Sequence, residues 1–127
     1  MNVSHPAIDA AHDIVGVART LAPRIVASRD DAEEMRQTPP ALAKALADAG
    51  LYQMFLPQSV GGMELPPLVA FEAVEELSKA DGSVGWCAMI ASDVAMITGW
   101  LPTETLRKMV GSPPDFRAAG SLRPQGK

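Results

Sequence analysis

The sequence predicts an all-α fold, an orthogonal bundle of several helices with a short β segment at its C-terminal end. Apolar residues recur at helical spacing along most of the chain, and clusters of Pro, Gly, Ser and Asp separate the periodic stretches. Residues 116–122, FRAAGSL, are typical of a single strand. Because one strand cannot pair with itself, we expect its partner strands on another chain or on residues outside this sequence.

The composition is that of an ordinary globular domain. The 127 residues are 47% hydrophobic and 20% charged, which is enough to bury a core as one folding unit. The formal net charge is −4 and the 11 Lys and Arg residues are scattered, so we expect neither nucleic acid nor an anionic membrane surface as a partner. The single cysteine, Cys87, excludes an intrachain disulfide. No signal peptide is recognisable, and we expect a cytoplasmic protein.

The first helix begins near Ser4 and Pro6 and carries apolar residues on one face, namely Ile8, Ala11, Val15, Ala18, Ala22 and Ile25. Pro23 lies inside this pattern and lacks an amide hydrogen. The sequence therefore predicts a kink or a break one turn before Pro23.

The second helix is predicted over residues 39–49, opened by two prolines and ended by a left-handed Gly50. Residues 51–56 form a short apolar extension, and residues 57–62 form a loop. The paired Gly61 and Gly62 are more typical of a turn than of a phosphate cradle, because three further residues separate them from the next helix start.

A third helix starts at Pro66-Pro67, ends at Asp81-Gly82, and should bury Ala70, Ala73, Val74 and Leu77. Ser83 is then positioned to cap a helix over residues 84–99, which is apolar nearly all round. We expect that helix to be enclosed by the others at the centre of the domain. It is too short for a membrane span, which needs about 20 apolar residues, and it carries Asp93. A last helix is predicted over residues 103–110.

The motifs AGL at 49–51, Pro57, Gly61-Gly62 and DGSVGWC at 81–87 stand in an order that resembles the N-terminal helical domain of the acyl-CoA dehydrogenase superfamily. Residues 120–126, GSLRPQG, are similar to the opening strand and turn of the middle β-domain of that family. The resemblance implies a helical domain over residues 1–112 and the start of a β-domain over residues 113–127. It also implies that a typical member continues well beyond this sequence.

The resemblance implies a three-part enzyme that binds FAD and assembles into oligomers. One branch of the family oxidises acyl-CoA thioesters at the α,β-position, with a catalytic base in a C-terminal bundle. A second branch uses reduced flavin and oxygen to hydroxylate aromatic molecules, often with a histidine from the helix that corresponds to residues 84–99. The only histidines here are His5 and His12, whereas Trp86 after Gly85 is similar to the second branch, so both branches stay open.

By the same resemblance, the predicted substrate-binding residues are Trp86, Cys87, Ile90 and Asp93. The backbone predicted to lie against the flavin ring belongs to Gly120, Ser121 and Leu122. Many dehydrogenases carry a hydroxyl residue at the position of Leu122, which this chain lacks. No residue of this chain is predicted to be catalytic, and no metal-ligand spacing is present.

The residue types favour a plainer interpretation of the same helix. Trp86, Met89 and Met96 are typical of core packing, and Cys87 is typical of a small buried residue. A carboxylate within an apolar helix needs compensation, so Asp93 is expected either to pair with Arg19 or Arg107, to contact a neighbouring helix end, or to face a wet cavity or an interface. The acidic residues Glu72, Glu75 and Glu76 are expected to form a solvated face.

The favoured hypothesis is the N-terminal domain of an FAD-dependent oxidoreductase that does not catalyse alone, with an acyl-CoA or an aromatic small molecule as substrate of the complete enzyme. The alternative is a truncated or split relative that acts as a helical interaction module, either as a homo-oligomer or paired with a chain that carries the β-domain. A third hypothesis is a lipid or acyl carrier, which requires a closed cavity beside the helix at 84–99.

Overall fold

The computed structural model describes residues 6–120 and residue 123, with side chains described from Ile14 onward. Within these residues the fold is helical and contains no strand, which confirms the all-α prediction. None of these helices combines the length and the apolar character that a membrane crossing requires. The elements are α1 Pro6–Ala27, α2 Arg29–Met35, α3 Pro40–Asp48, α4 Pro67–Ala80, α5 Gly82–Thr98 and α6 Thr103–Val110, with 3-10 turns at Gln58–Val60 and Pro113–Asp115.

The larger of two hydrophobic clusters lies where α1 packs along α4 and where α3 and residues 51–55 close over them. Its fully buried members include Ile25, Leu42, Leu46, Leu51, Met54 and Leu77. The predicted inner face of α4 is confirmed, since Ala70, Ala73 and Leu77 are buried and Val74 packs against the same cluster. We call this group of residues the inner cluster.

Helix α1 runs through Pro23 to Ala27, so of the predicted kink or break the break does not occur, and the kink stays a prediction. A proline removes one helical hydrogen bond, but Ala18 and Ile25 on either side of it are buried in the inner cluster, and this packing keeps the helix continuous. The chain breaks instead at Ser28, whose Oγ donates to the carbonyl of Arg24. The predicted apolar positions Ile8 and Ala11 precede the described side chains.

The connection after α3 has the geometry that its glycines predict. Gly50 adopts φ +82°, and the amides of Gly50 and Leu51 donate to the carbonyls of Ala47 and Leu46 at 2.9 and 3.0 Å, which is a Schellman ending. Residues 63–65 then fold back on residues 53–56, and the amide of Leu65 donates to the carbonyl of Met54 at 2.8 Å.

The glycine pair within this connection is a tight turn, as predicted. Gly61 adopts φ +87°, and a Cβ on Gly62 would lie 2.0 Å from the carbonyl oxygen of Leu56. Because that neighbour is backbone, only glycine fits at position 62 in this arrangement.

The junction of α4 and α5 is capped by Asp81 and not by the predicted Ser83. The Asp81 side chain accepts from the amides of Ser83 and Val84, so the helix begins at Gly82, two residues before the predicted start at Val84. Hydrogen bonds from Ser83 and the two amides hold the pKa of Asp81 below its ordinary value. Gly85 lies directly against Ser78, and its missing Cβ lets α5 approach α4 closely.

Helix α5 is not enclosed, which corrects the expectation of a central helix. Its small residues face inward, since Gly85, Ala88, Ala91, Ser92 and Ala95 are buried. Its large residues face outward: Trp86, Met96 and Ile97 are 67%, 50% and 62% exposed. The described elements therefore cover one side of α5 only.

A second hydrophobic cluster joins the C-terminal half of α5 to α6 and to residues 116–118. It contains Leu56, Val60, Ala95, Leu106 and Val110, and Phe116 and Ala118 pack against it. Residues 116–120 form no strand with any described part of the chain. Residues 121 and 122 of the predicted strand lie outside the described residues, so the β segment stays a prediction.

Candidate functional site

A groove of about 320 Å³ lies between the first half of α5 and residues 117–119. Tyr52, Thr38 and Ala43 complete its wall beside the α5 residues Trp86, Cys87, Ile90 and Ala91. Three of the four predicted substrate-binding residues therefore meet at one groove. Its volume lies at the lower end of the range found for small-molecule sites.

Trp86 and Cys87 are both exposed, so the predictions of core packing for Trp86 and of burial for Cys87 are wrong. The physical reason is the close approach of α5 to α4, which leaves space for small side chains on the inner face. The indole and the thiol are consequently directed to the outer face. There they form part of the groove wall.

Tyr52 and Arg117 form the opposite side of the groove and contact each other. The Arg117 guanidinium carbon lies 5.1 Å from the centre of the Tyr52 ring, a cation–π arrangement. Tyr52 is 6% exposed, and its burial, together with Cys87, raises the pKa of its phenol to about 12, although Arg117 acts in the opposite direction. The phenol therefore stays protonated, and thus a hydrogen-bond donor, well above neutral pH.

Residues 116 and 117 are anchored beside this pair by hydrogen bonds. The buried Gln53 donates from Nε2 to the carbonyl of Phe116 at 3.2 Å. Arg117 donates from Nη1 to the carbonyls of Pro114 and Phe116 at 2.5 and 3.1 Å. Residues 116–118 alternate, with Phe116 and Ala118 packed on the second cluster and Arg117 turned to the groove.

Asp93 is placed apart from the other predicted substrate residues. It is half-buried on α5 and does not belong to the described wall of the groove. Its predicted arginine partners bind elsewhere, since Arg19 pairs with Glu76 at 3.2 Å and Arg107 pairs with Glu104. Asp93 makes no ion pair with any residue that the structure describes, so the predicted pairing is wrong.

Of the three predicted flavin-facing residues, the structure describes Gly120 alone. Gly120 is exposed, and a Cβ on it would lie 2.9 Å from Cγ2 of Val94 on α5. The backbone at position 120 therefore runs against the middle of α5, just beyond the groove. Ser121 and Leu122 lie outside the described residues.

Sequence reasoning missed Tyr52, Thr38 and Arg117 as groove residues. Tyr52 stands in an apolar stretch that predicts burial, and the residue is buried. The pattern does not indicate that Tyr52 also lines the groove. Arg117 has one sequence signal, its position between the apolar Phe116 and Ala118 in an alternating segment. That alternation predicts that Arg117 points away from the core, but it does not indicate that Arg117 contacts Tyr52.

A second, charged depression of about 490 Å³ adjoins the groove and shares Thr38 and Cys87 with it. Its wall includes Arg36, which adopts φ +52° at the end of α2, and Arg29. Arg29 donates from Nε to the carbonyl of Ala80 at 2.9 Å and lies 3.9 Å from an Asp81 oxygen. Arg29 is therefore engaged in joining α2 to the end of α4.

Comparison with curated proteins shows similarity to flavin-dependent oxygenases. The chain is 40% identical over 83 residues to the indole-3-acetate monooxygenase of Acinetobacter baumannii, which is 65% of this chain and 21% of the relative. It is 28% identical over 116 residues to the flavin-dependent monooxygenase oxygenase subunit HsaA of Mycobacterium tuberculosis, which is 91% of this chain and 29% of the relative. It is 31% identical over 113 residues to the oxygenase component of the FADH2-dependent resorcinol hydroxylase of a Rhizobium species, which is 87% of this chain and 27% of the relative.

The chain thus spans less than a third of the length of these relatives. The family model described as the acyl-CoA dehydrogenase N-terminal domain matches residues 10–109. This range extends from α1 to the end of α6 and includes the α5 wall of the groove. The chain therefore belongs to the acyl-CoA dehydrogenase family, whose N-terminal domain it contains.

Proposed function

We propose that the chain is the helical domain of an FAD-dependent oxygenase component that hydroxylates a small aromatic molecule, and that the groove is one wall of its substrate site. The observation that carries this proposal is the meeting of Trp86, Cys87 and Ile90 with Tyr52 at one exposed groove. Two aromatic side chains on an otherwise largely apolar wall suit a planar ring through edge and face contacts. The monooxygenase names of the relatives support this branch over acyl thioester oxidation.

The role of these residues in the reaction is binding and orientation. Trp86 and Ile90 provide apolar contact to the ring and exclude water from one of its faces. The Tyr52 phenol, whose pKa is about 12, acts as a hydrogen-bond donor and not as a base at neutral pH. Histidine is absent from α5, so a proton-accepting group is expected from another part of the complete enzyme.

The position of Gly120 supports a flavin-facing role for this part of the chain. Gly120 is exposed beside Val94, where its backbone reaches the surface next to the groove without a side chain of its own. This placement supports the proposal that Gly120, Ser121 and Leu122 lie against the flavin ring, and that residues 113–127 begin the β-domain that follows the helical domain at 1–112. When bound, FAD supplies the redox chemistry, and this chain supplies surface on one side of it.

The second candidate function, an interaction module, is favoured by a different surface. Met96, Ile97, Trp100 and Leu101 are all exposed at the C-terminal end of α5, and Trp100 is 89% exposed. We call these four residues the apolar end. Exposed apolar residues that lie this close in sequence are typical of a protein contact, and the occupant in this proposal is the chain that carries the β-domain, or a second copy.

The genomic sequence after the codon for Lys127 tests the proposed domain organisation. An open frame that encodes a β-rich segment and then a helical bundle supports the oxygenase component. A stop codon followed by unrelated sequence contradicts it and supports the interaction module, for which gel filtration of the purified chain then shows a dimer or larger species.

Ligand binding tests the proposed substrate class. The expected result is that resorcinol and phenylacetate shift the NMR resonances of Trp86 and Tyr52 in the full chain, because both ligands present a ring to the groove. Butyryl-CoA serves as the competing ligand. Shifts at these residues with butyryl-CoA but with neither aromatic molecule would overturn the aromatic proposal in favour of acyl thioester oxidation.

A further inference from the structure

The groove has one charge on its wall. Of the described residues that line it, Arg117 is the only Lys, Arg, Asp or Glu. Its neighbour Tyr52 does not neutralise it, because the pKa of the phenol is about 12 and the ring presents its face to the cation. A single cation is therefore fixed at the edge of an aromatic and apolar site.

Arg117 is held in a way that leaves part of its guanidinium open. Its Nη1 is used by the carbonyls of Pro114 and Phe116, and its carbon lies over the Tyr52 ring. Its Nε and Nη2 donate to no other residue that the structure describes. These two groups together present the side of the guanidinium that binds both oxygens of a carboxylate.

We propose that the substrate is an aromatic carboxylate, with its ring against Trp86 and Ile90 and its carboxylate bound by Arg117. This inference rests on the proposed function, since it names the substrate class of the same groove. Charge complementarity favours this occupant, because Arg117 is exposed to a ligand and is the only charged residue on the described wall of the groove. The planar fork of an arginine suits a carboxylate, and a groove of about 320 Å³ suits a small aromatic acid better than a whole coenzyme A thioester.

A matched pair of ligands tests the inference in the full chain. Phenylacetate and phenylacetamide have the same size and shape, and only the first is an anion at neutral pH. Titration is followed at the Trp86 indole resonance, assigned with the W100F variant because the chain has two tryptophans. We expect phenylacetate to bind about tenfold to a hundredfold more tightly than phenylacetamide, as expected for a charge-assisted hydrogen-bonded pair.

Two variants locate the charge that is responsible. R117Q should reduce the affinity for phenylacetate to about the affinity that the same variant has for phenylacetamide. A phenylacetamide shift that persists at Trp86 in R117Q shows that the groove still binds a ring. R117K keeps the charge without the planar fork and should retain part of the preference. The control R36Q removes a cation of the adjoining depression and should leave both affinities unchanged.

The outcomes separate this inference from the proposed function. Equal binding of the two ligands, unaffected by R117Q, overturns the role of Arg117 and leaves an aromatic site in place. Loss of the preference in R36Q but not in R117Q assigns the anion to the adjoining depression and overturns the inference as well. If neither ligand moves the Trp86 resonance, both the inference and the aromatic substrate site are wrong.

Discussion

The inner cluster and the outer face of α5 both contain large apolar residues, but these residues have opposite environments. Leu46 and Leu77 in the inner cluster are fully buried, whereas Trp86 and Ile97 on α5 are 67% and 62% exposed. Within α5 the alanines Ala88, Ala91 and Ala95 are buried, whereas Trp86, Met96 and Ile97 are exposed. Apolar character alone therefore does not predict burial: large apolar side chains are buried in the inner cluster and exposed on the outer face of α5.

This difference assigns separate roles to the two regions. The inner cluster joins α1, α3 and α4 and accounts for the stability of the described fold. The outer face of α5 contributes little to that stability, since its large residues remain in contact with water. Its residues are available for ligands and for other parts of an enzyme.

The largest effect on stability is expected from Gly62→Ala, in the tight turn that lies against Leu56 of the second cluster. Its added Cβ would lie 2.0 Å from the Leu56 carbonyl oxygen, so the backbone of one segment has to move. We expect the free energy of unfolding to fall by about 3 kcal/mol or more, as measured by urea denaturation followed by far-UV circular dichroism.

Gly16→Ala is the matched control for this substitution. No atom lies within 4 Å of a Cβ added at Gly16, which stands in the middle of α1. Alanine should therefore stabilise the helix by about 0.5–1 kcal/mol. Equal changes in the free energy of unfolding at positions 16 and 62 would contradict the tight turn at Gly61-Gly62.

The next largest effect on stability concerns Tyr52, which belongs to the inner cluster and also lines the groove. It is the single tyrosine of the chain, so tyrosinate absorbance at 295 nm reports it alone. We expect a midpoint of about pH 12 in the folded protein, against 10.0 for an exposed phenol. A midpoint near 10 in the folded protein would show that the ring is not buried.

The same shift predicts a loss of stability at alkaline pH. The folded-state pKa of Tyr52 is raised, so the unfolded chain loses its proton first, at pH 10. The stabilising contribution is complete below pH 10 and is lost as the pH rises to about 12. It amounts to about 2 to 3 kcal/mol, and Tyr52→Phe should abolish this part of the pH dependence.

Much of the inner cluster is predictable from sequence, because helix start and stop signals and apolar spacing agree there. Pro40 and Gly50 mark the two ends of α3, and Leu42, Leu46 and Leu77 follow helical spacing. Helix α2 has no such signal, since none of its residues is buried and it is joined to α4 through Arg29. Its existence depends on a contact that is distant in sequence.

The groove was predictable only in part. The resemblance identified its α5 wall, including Trp86 and Cys87, but not the opposite wall formed by Tyr52 and Arg117. That wall requires residues 116–118 to pack across the second cluster and the Phe116 carbonyl to accept a hydrogen bond from Gln53. No local periodicity specifies such a long-range contact, and none indicated that α5 would turn its large residues outward.

A smaller effect is expected at Asp81, which joins the two regions as the N-cap of α5. Asp81→Ala should lower the free energy of unfolding by about 1 kcal/mol, because two amides of the first turn lose their acceptor. The pKa of Asp81 is lowered in the folded state, so its contribution is present above its ordinary value of 3.8 and is lost as the pH falls below it.

Asp81→Asn separates the cap from the charge. Asparagine caps helices about as well as aspartate, so this variant should keep most of the stability at neutral pH. Its stability should also vary less below pH 4 than that of the parent protein, as measured by urea denaturation at several pH values. A large loss for Asp81→Asn at neutral pH would show that ionic attraction to Arg29, and not capping, dominates.

The smallest effect on stability, within about 0.5 kcal/mol, is expected from Trp86→Ala, although it removes the largest side chain of the groove. The indole is 67% exposed, so little buried area is lost, and alanine is the better helix former. Binding of aromatic ligands should nevertheless weaken severalfold, because the ring loses its apolar wall. The buried Leu77→Ala, at about 2–5 kcal/mol, is the reference for core truncation. A stability loss of that size for Trp86→Ala would mean that the outer face of α5 belongs to the core of this domain, and the division of roles between the two regions would then be wrong.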